Sequence, residues 1–430
     1  DGTELFDADA SSIAKMHNTK SRSFNGGGKH LFLWRKPPAS EAGKVAWRRF
    51  DLSVNGGLEH SWTLAAGAAD IDGDGLAEIY LANDFGPDQL LHNRSQPGKP
   101  AFAAVRDDRK FRTPASFVLG QDSFKGMGVD FADINNDGTL DIAVSNIADS
   151  FALNESHFLW LSSAPKERIR HELSPYVQAS ERMGLSRSGW GWDLRMVDFD
   201  NDGTLELVQA TGFMRGPTNR WPELQALGTG NDTMMDDPRH WPSFKDGDDL
   251  SGENRTAFFV AGPDGRYVNV GHEAGFDAPL LGRGIAVADV NGDGCMDFAL
   301  ASQWMESHVY INRCESRFSY LNLLLKHSME AGSQTQVHQG RGNAVVPGRV
   351  AIGAVAALTL PDGGRIVAVA DGGSGHSGKR SPEIHFGLGS GLAPGFTLPV
   401  ELNWRDVRGR LRSEKMRLEP GSYTIVLGNE

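Results

Sequence analysis

The chain has 430 residues but only two cysteines, and its 13 histidines form neither an H-E-x-x-H pair nor a close Cys/His cluster of zinc spacing. No G-x-S-x-G elbow is present, and no phosphate-cradling P-loop or dinucleotide fingerprint follows a strand. His376 and Ser377 have no assignable acid partner, so Gly375–Lys379 reads as a flexible turn rather than a nucleophile and its base. The apolar run Val350–Leu360 spans about eleven residues, too short for a bilayer and suited to a buried strand. No transmembrane segment is expected. Basic charge is also short: 43 Lys and Arg face 55 Asp and Glu, a net charge of −12 that disfavours nucleic acid as a partner.

What the chain does have is a nine-residue acidic signature that returns four times, starting at Asp70, Asp133, Asp198 and Asp289. Positions 1, 3 and 5 are Asp or Asn, position 6 is Gly, and position 9 is Asp or Glu in every copy. Calcium takes six to eight hard oxygen ligands, and alternate residues of a tight loop can aim them inward around the Gly. The expected ligand set covers positions 1, 3, 5, 7 and 9. These are Asp70, Asp72, Asp74, Leu76 and Glu78; Asp133, Asn135, Asp137, Thr139 and Asp141; Asp198, Asp200, Asp202, Thr204 and Glu206; and Asp289, Asn291, Asp293, Cys295 and Asp297. About four Ca2+ ions are implied. The loops carry 14 of the 55 acidic side chains, so much of the acidity is ligand inventory.

An EF-hand would need a bidentate Glu at position 12, where this chain has Leu81, Val144, Gln209 and Leu300. The flanks are short apolar runs bounded by Gly, Asn and Asp, such as Gly284-Ile-Ala-Val-Ala before the fourth loop and Met296-Asp-Phe-Ala-Leu after it. They read as strands, so each loop closes a β-hairpin. Plain Asp-Gly turns are the competing explanation. Acidic residues are about one in eight, so four of four at position 9 has a chance probability on the order of a few in ten thousand. That count favours calcium.

The loop starts are 63, 65 and 91 residues apart, a period that fits propeller blades of four strands. Within one period, strands are predicted at 77–83, 89–93, around 102–105 and at 126–132. The fold class is therefore all-β, with about five blades in residues 1–315 and a small β-domain in 316–430. The D-x-[DN]-x-D-G-x-x-[DE] hairpin resembles the FG-GAP/VCBS repeats of integrin α-subunit propellers and of many secreted bacterial proteins. Tyr320-Leu-Asn-Leu-Leu-Leu, Ile352-Gly-Ala-Val-Ala-Ala-Leu, Gly372-Gly-Ser-Gly-His and Ile384-His-Phe-Gly-Leu-Gly resemble the ASPIC/UnbV domain. That domain follows FG-GAP repeats in the cartilage acidic protein family and in bacterial proteins, some linked to enediyne gene clusters. His376 departs from the aromatic residue more usual after those glycines.

Other expectations concern the ends and the insertion. Asp1-Gly-Thr-Glu-Leu resembles the tail of a further loop, although Leu5 falls where the acid should be, and residues 29–34 and 45–52 would be later strands of that blade. The related propellers usually close with seven blades, so the natural chain is expected to begin upstream, with a secretion signal removed or lying there. The long third interval holds an insertion of roughly 27 residues within Phe213–Arg255. It should emerge on the face opposite the calcium loops, either as a binding loop using Trp221, His240, Trp241 and Phe244 or as a cap over apolar surface. Cys295 and Cys314 bracket the fourth hairpin, as a disulfide or as two buried thiols.

Together these features imply a secreted or periplasmic, calcium-stabilised propeller that binds a protein or carbohydrate. The alternative is a biosynthetic enzyme of the UnbV type with its site under the 213–255 insertion. Excess EDTA is expected to lower the melting temperature sharply, because a metal that binds only the native state stabilises it by mass action. An unchanged melting temperature would speak against structural calcium.

Overall fold

The computed structural model describes residues 26–35, 44–52, 60–151, 155–230, 234–235, 237–314, 318–330, 332–341, 346–390 and 392–429. Each acidic loop joins two antiparallel strands in one repeated register. The residue before position 1 lies opposite position 9: Ala69 opposite Glu78, Ala132 opposite Asp141, Val197 opposite Glu206, and Ala288 opposite Asp297. Positions 4 and 6 of every loop adopt left-handed backbone, with φ of 56–82° at Gly73, Asn136, Asn201 and Gly292, and 80–92° at the four position-6 glycines. Only Gly and Asn occupy position 4 because they tolerate that region at little cost.

Four hairpins grow into four blades. The first blade is a meander of Trp62–Ala69, Glu78–Phe85, Gln89–Asn93 and Phe102–Ala104. The second uses Gly128–Ala132, Asp141–Ser145, Phe158–Ser162 and Tyr176–Gln178. The third uses Gly189–Val197, Glu206–Thr211, Ala257–Ala261 and Tyr267–Asn269, with Ile147–Ala148 added at its inner edge. The fourth has Gly282–Ala288, Asp297–Ser302 and His308–Tyr310. The first strands of successive blades lie side by side, forming the inner wall of an all-β, propeller-like arc.

The alternation of side chains explains how blades stack. Asp141–Ser145 is buried at all five positions. Ile142 and Val144 join a core with Tyr80, Leu90 and Trp160 of one interface, whereas Ala143 joins Leu194, Met196 and Leu207 on the other. A strand covered on both faces reads as a continuous apolar run, and each buried Ile or Val contributes about 1.5–3 kcal/mol relative to exposure. The predicted strand positions match closely, with Gln89–Asn93 unchanged.

The expectation of about five blades covers residues 1–315, of which 1–25, 36–43 and 53–59 lie outside the described residues. Among the described residues there are four, and in the place of a fifth stands the separate two-stranded hairpin His30–Arg35 with Ala46–Asp51. Phe32, Trp34 and Trp47 on this hairpin are all more than half exposed. The expectation placed on residues 1–10 lies outside the described residues. Cys295 and Cys314 form a disulfide, with Cα atoms 6.0 Å apart.

Residues 320–427 form two further sheets. One contains Gln336–Gln339, Gly421–Leu427, Tyr320–His327 and Arg349–Val350, with Ile384–Gly387 also paired to Tyr320–His327. The other contains Arg365–Val369, Val355–Thr359, Leu398–Arg405 and Leu411–Leu418. Leu398, Val400, Leu402 and Trp404, at alternate positions of one strand, meet Leu321, Leu323 and Ile425 in the core between them.

The glycine loop of this region is not a free turn; that expectation is corrected by its seat at the propeller axis. Gly375 bridges to Ala66 of the first blade, and the Ser374 hydroxyl donates to the Val129 carbonyl of the second. Arg195 of the third blade donates to the Ser374 carbonyl, and Lys379–Arg380 pairs in parallel with Ala286–Val287 of the fourth. One short segment thus touches the inner strand of all four blades. Around it lies a buried charge cluster: Arg195 is 3.2 Å from Asp193, and Arg380 is 2.7 Å from Asp130. Burial pushes the Asp193 carboxyl up to about 7, with Arg195 opposing.

Gly378 has no room for a side chain: a Cβ there would lie 1.8 Å from Arg195 Nη2 and 2.0 Å from Asp193 Oδ2. Both groups are buried and held by other bonds. Gly378→Ala is therefore expected to destabilise the fold by about 3 kcal/mol, read as a lower denaturant midpoint. An unchanged midpoint would mean that the loop does not sit at the axis.

Candidate functional site

Two places combine concentrated chemistry with defined geometry: the acidic loops and a cavity at the other end of the same strands. In each loop the position-1 carboxylate accepts from the position-6 amide, at 2.8 Å in Asp70, 2.9 Å in Asp133 and Asp198, and 3.0 Å in Asp289. The position-9 carboxylate accepts from the position-2 amide, from Ile71, Ile134, Phe199 and Val290 at 2.8–3.1 Å. Its second oxygen reaches further along the blade in three copies, accepting from the amides of Asn93, Ser162 and Asn312. Position 9 therefore has a bracing role of its own, besides any role as a ligand.

The loops divide into two pairs. In the first and third, ligand atoms of Asp70, Asp72 and Glu78, and of Asp198, Asp200 and Glu206, lie within 4.8 Å of one another. These clusters can hold a metal ion. In the second and fourth loops position 3 is Asn, and the Asn135 and Asn291 amides donate to Asp137 and Asp293 at 2.9 and 2.8 Å. An internal donor there takes up the carboxylate that a cation would use. Leu76 can offer only its carbonyl, and Cys295, with its sulfur in the disulfide, is limited to the same group; Thr139 and Thr204 follow their position-5 Asp residues in the turn.

Burial pushes Glu78 up to about 8, Asp141 to about 8, Glu206 to about 9, and Asp133 and Asp198 to about 7, with backbone amides opposing. Asp198 Oδ1 is buried with no hydrogen-bond partner. Carboxylates gathered out of water in this way need protons or a cation, and oxygen donors of this kind suit a hard divalent ion. The third loop fits best. In the first, Arg170 already donates to Asp72 at 2.7 Å.

The C-terminal sheets cover this face, a feature with no direct signal in the sequence. Arg405 donates to the Asp74 and Gly75 carbonyls, the Val367 amide to Asp133, and Arg341 lies 3.3 Å from Asp289. At the third loop His385 Nε2 is 2.7 Å from Asn201 Oδ1. Gly387 lies so close that a Cβ would be 1.9 Å from Asp198 Oδ2.

The opposite face is open and roofed by the insertion. Helix Trp221–Thr229, with Met235, Trp241 and Phe244, covers a cavity of about 250 Å³. Phe85, Trp190, Trp192, Phe213, Trp221 and Trp241 supply aromatic walls, with Leu64, Met127, Leu224, Leu227 and Leu250 between them. Trp190 stacks on Phe213 with ring centres 4.7 Å apart, and Trp221 lies 5.6 Å from Trp190. Behind the wall, the Arg283 guanidinium sits 4.2 Å from the Trp192 ring. The polar groups of the lining are few: Asp84, Lys125 and Gln225. Lys125 pairs with the buried Glu155. Burial pushes Asp84 up to about 7, with Lys125 opposing and Glu155 adding to the rise.

Of the four residues predicted to bind a partner, Trp221, Trp241 and Phe244 line the cavity. His240 does not: it is exposed on a short turn beside Arg239. It contributes no wall because that turn faces solvent. The sequence also missed the floor, Trp190 and Trp192. Their i, i+2 spacing on one strand places both rings on one face, and that was a legible signal.

Residues 70–144 match the FG-GAP-like repeat family, and residues 345–427 match the ASPIC and UnbV family. The chain carries both an FG-GAP-like repeat and an ASPIC/UnbV domain. It is 25% identical over 391 residues to cartilage acidic protein 1 of Mus musculus, across 89% of this chain and 48% of that protein. It is 24% identical over 382 residues to cartilage acidic protein 1 of Homo sapiens, across 86% and 45%. The chain thus spans about half the length of the curated relatives it matches. A solved bacterial Ca2+-stabilized adhesin aligns at 11% identity with a TM-score of 0.14, which carries no argument.

The lid is pinned by Trp241, whose indole N–H donates to the Met235 carbonyl at 2.9 Å and whose ring meets Phe85 edge-on at 6.3 Å. Trp241→Ala is expected to speed limited proteolysis within residues 237–245 several-fold while leaving the blades resistant. Equal cleavage in both proteins would show that the lid is held elsewhere.

Proposed function

We propose that this protein is a calcium-stabilised binding module of the extracellular space or periplasm. In this reading residues 1–315 form the propeller and 316–430 the C-terminal β-domain. Calcium occupies the acidic loops, where Asp198, Asp200 and Glu206 offer the best-formed cluster, and holds blades and C-terminal sheets in register. The ligand is an apolar or aromatic group of a protein or carbohydrate partner. It enters the cavity beneath the 213–255 lid.

The observation that carries this reading is the aromatic cavity on the one propeller face that the C-terminal sheets leave open. Apolar walls with a few placed polar groups are the usual make-up of a ligand site. The disulfide fits an oxidising compartment. An enzyme of the UnbV type would have to work with Asp84, Lys125 and Glu155. Among the described residues the cavity lining contains no Ser, Cys or His to pair with them as nucleophile or base.

Calorimetric titration tests the reading with indole as the surrogate for a tryptophan side chain and methyl glucoside as the simplest glycan. Saturable binding of either is expected, and Leu224→Trp, which fills the cavity, is expected to weaken it at least tenfold while the far-ultraviolet spectrum stays unchanged. Absence of saturable binding by both would overturn this place as the site.

A further inference from the structure

The cavity has an asymmetry that an apolar pocket does not need. Asp84 lies at one end, and its carboxylate has no hydrogen-bond partner among the described residues. The neighbouring charges do not balance it: Lys125 is already paired with the buried Glu155, leaving two carboxylates against one ammonium. Arg283 stands outside, separated by the Trp192 and Phe213 rings on which it stacks, and four backbone carbonyls accept its N–H groups. No other titratable side chain among the described residues lines the space.

We infer that the ligand of this cavity is an organic cation: a flat or compact apolar group bearing one ammonium, seated among Phe85, Trp190, Trp221 and Trp241 with its charge toward Asp84. The inference rests on the cavity being the binding site and adds the charge of what binds there. Three physical terms favour it. The aromatic faces present negative quadrupole to a cation, an attraction of about 0.5–2 kcal/mol depending on desolvation. The apolar walls exclude water, so the single unpaired carboxylate acts through a low dielectric. An anion would meet the same carboxylate and the same ring faces, and would be repelled by both. Size sets the class. A dry cavity of 150 Å³ accepts benzene, so about 250 Å³ takes one ring with a small branched substituent.

Three probes of one shape and different charge test this. Benzyltrimethylammonium, its neutral isostere neopentylbenzene, and phenylmethanesulfonate are titrated separately, followed by calorimetry and tryptophan fluorescence. The cation is expected to bind at least tenfold tighter than the hydrocarbon, and the sulfonate weakest. Asp84→Asn should remove the preference for the cation while leaving neopentylbenzene affinity unchanged, which also shows that the variant is folded. Because Asp84 must be ionised to attract the cation, cation affinity in the native protein should rise between pH 6 and pH 8. That rise should be absent in Asp84→Asn, with Lys125 and Glu155 present in both. Equal or tighter binding of the hydrocarbon, or a cation preference that survives Asp84→Asn, would overturn the inference and leave the cavity as a binding site. Binding of none of the probes would overturn both.

Discussion

The four blades and the C-terminal region meet at the seat of residues 374–380 at the propeller axis. Inner strands of a propeller arc carry unpaired backbone groups along their free edges, and buried edges of that kind must find partners. Here the C-terminal region supplies them by a bridge to Ala66, a bond to the Val129 carbonyl and a parallel pairing with Ala286–Val287. The cost is a cluster of buried Asp130, Asp193 and Arg195 with the part-buried Arg380. A cluster like this adds little net stability over apolar packing, yet removing one partner strands the others. It therefore specifies where the loop sits more than it strengthens the fold, and it makes propeller and C-terminal sheets one packing problem.

The acidic loops show the same economy in a different form. Their carboxylates organise the turn before any ion is considered: position 1 is tied to the position-6 amide and position 9 to the position-2 amide in all four copies. The recurrence of an acid at position 9 thus has two causes, and the frequency count that favours a cation over plain turns is weaker than it looks on sequence alone. What a plain turn does not explain is the gathering of three carboxylates within 4.8 Å in two of the loops, beneath another layer of protein and with Asp72, Glu78, Asp198 and Glu206 buried. Like charges so placed are tolerated only when something positive joins them.

Much of this was legible in the residues, for identifiable reasons. The hairpins followed from Gly and Asn at the left-handed positions and from short alternating strands, features that act over a few residues. The blade-like period followed from repetition. Trp221, Trp241 and Phe244 could be picked out because aromatic side chains are conspicuous in a polar insertion. The rest depended on contacts between distant segments. Asp84 looks like an ordinary strand-end acid until Lys125, 41 positions later, is seen turned toward Glu155. Gly378 reads as part of a loose glycine turn, and only the approach of Arg195 shows that the missing Cβ is what lets the segment into the axis. Local chemistry specifies an element, and long-range shape complementarity decides what that element is for.

That same long-range geometry joins the two faces. His376 travels with the axial loop, and its ring lies 5.0 Å from Trp192, which is also a wall of the cavity. It also faces the backbone of Leu64, another lining residue, and burial lowers its affinity for a proton. From Trp192 the contacts run one way to Phe213 and Arg283, and the other through Asp193 and Arg195 to Ser374. Interiors this dense do not absorb displacement locally. A ligand that shifted Trp192 would therefore press on the loop that fixes the C-terminal sheets over the acidic hairpins. A metal that tightened those hairpins would stiffen the strands that end at the cavity. Burial first, and then the neighbouring Arg283 guanidinium, disfavour a positive charge on the imidazole at this position.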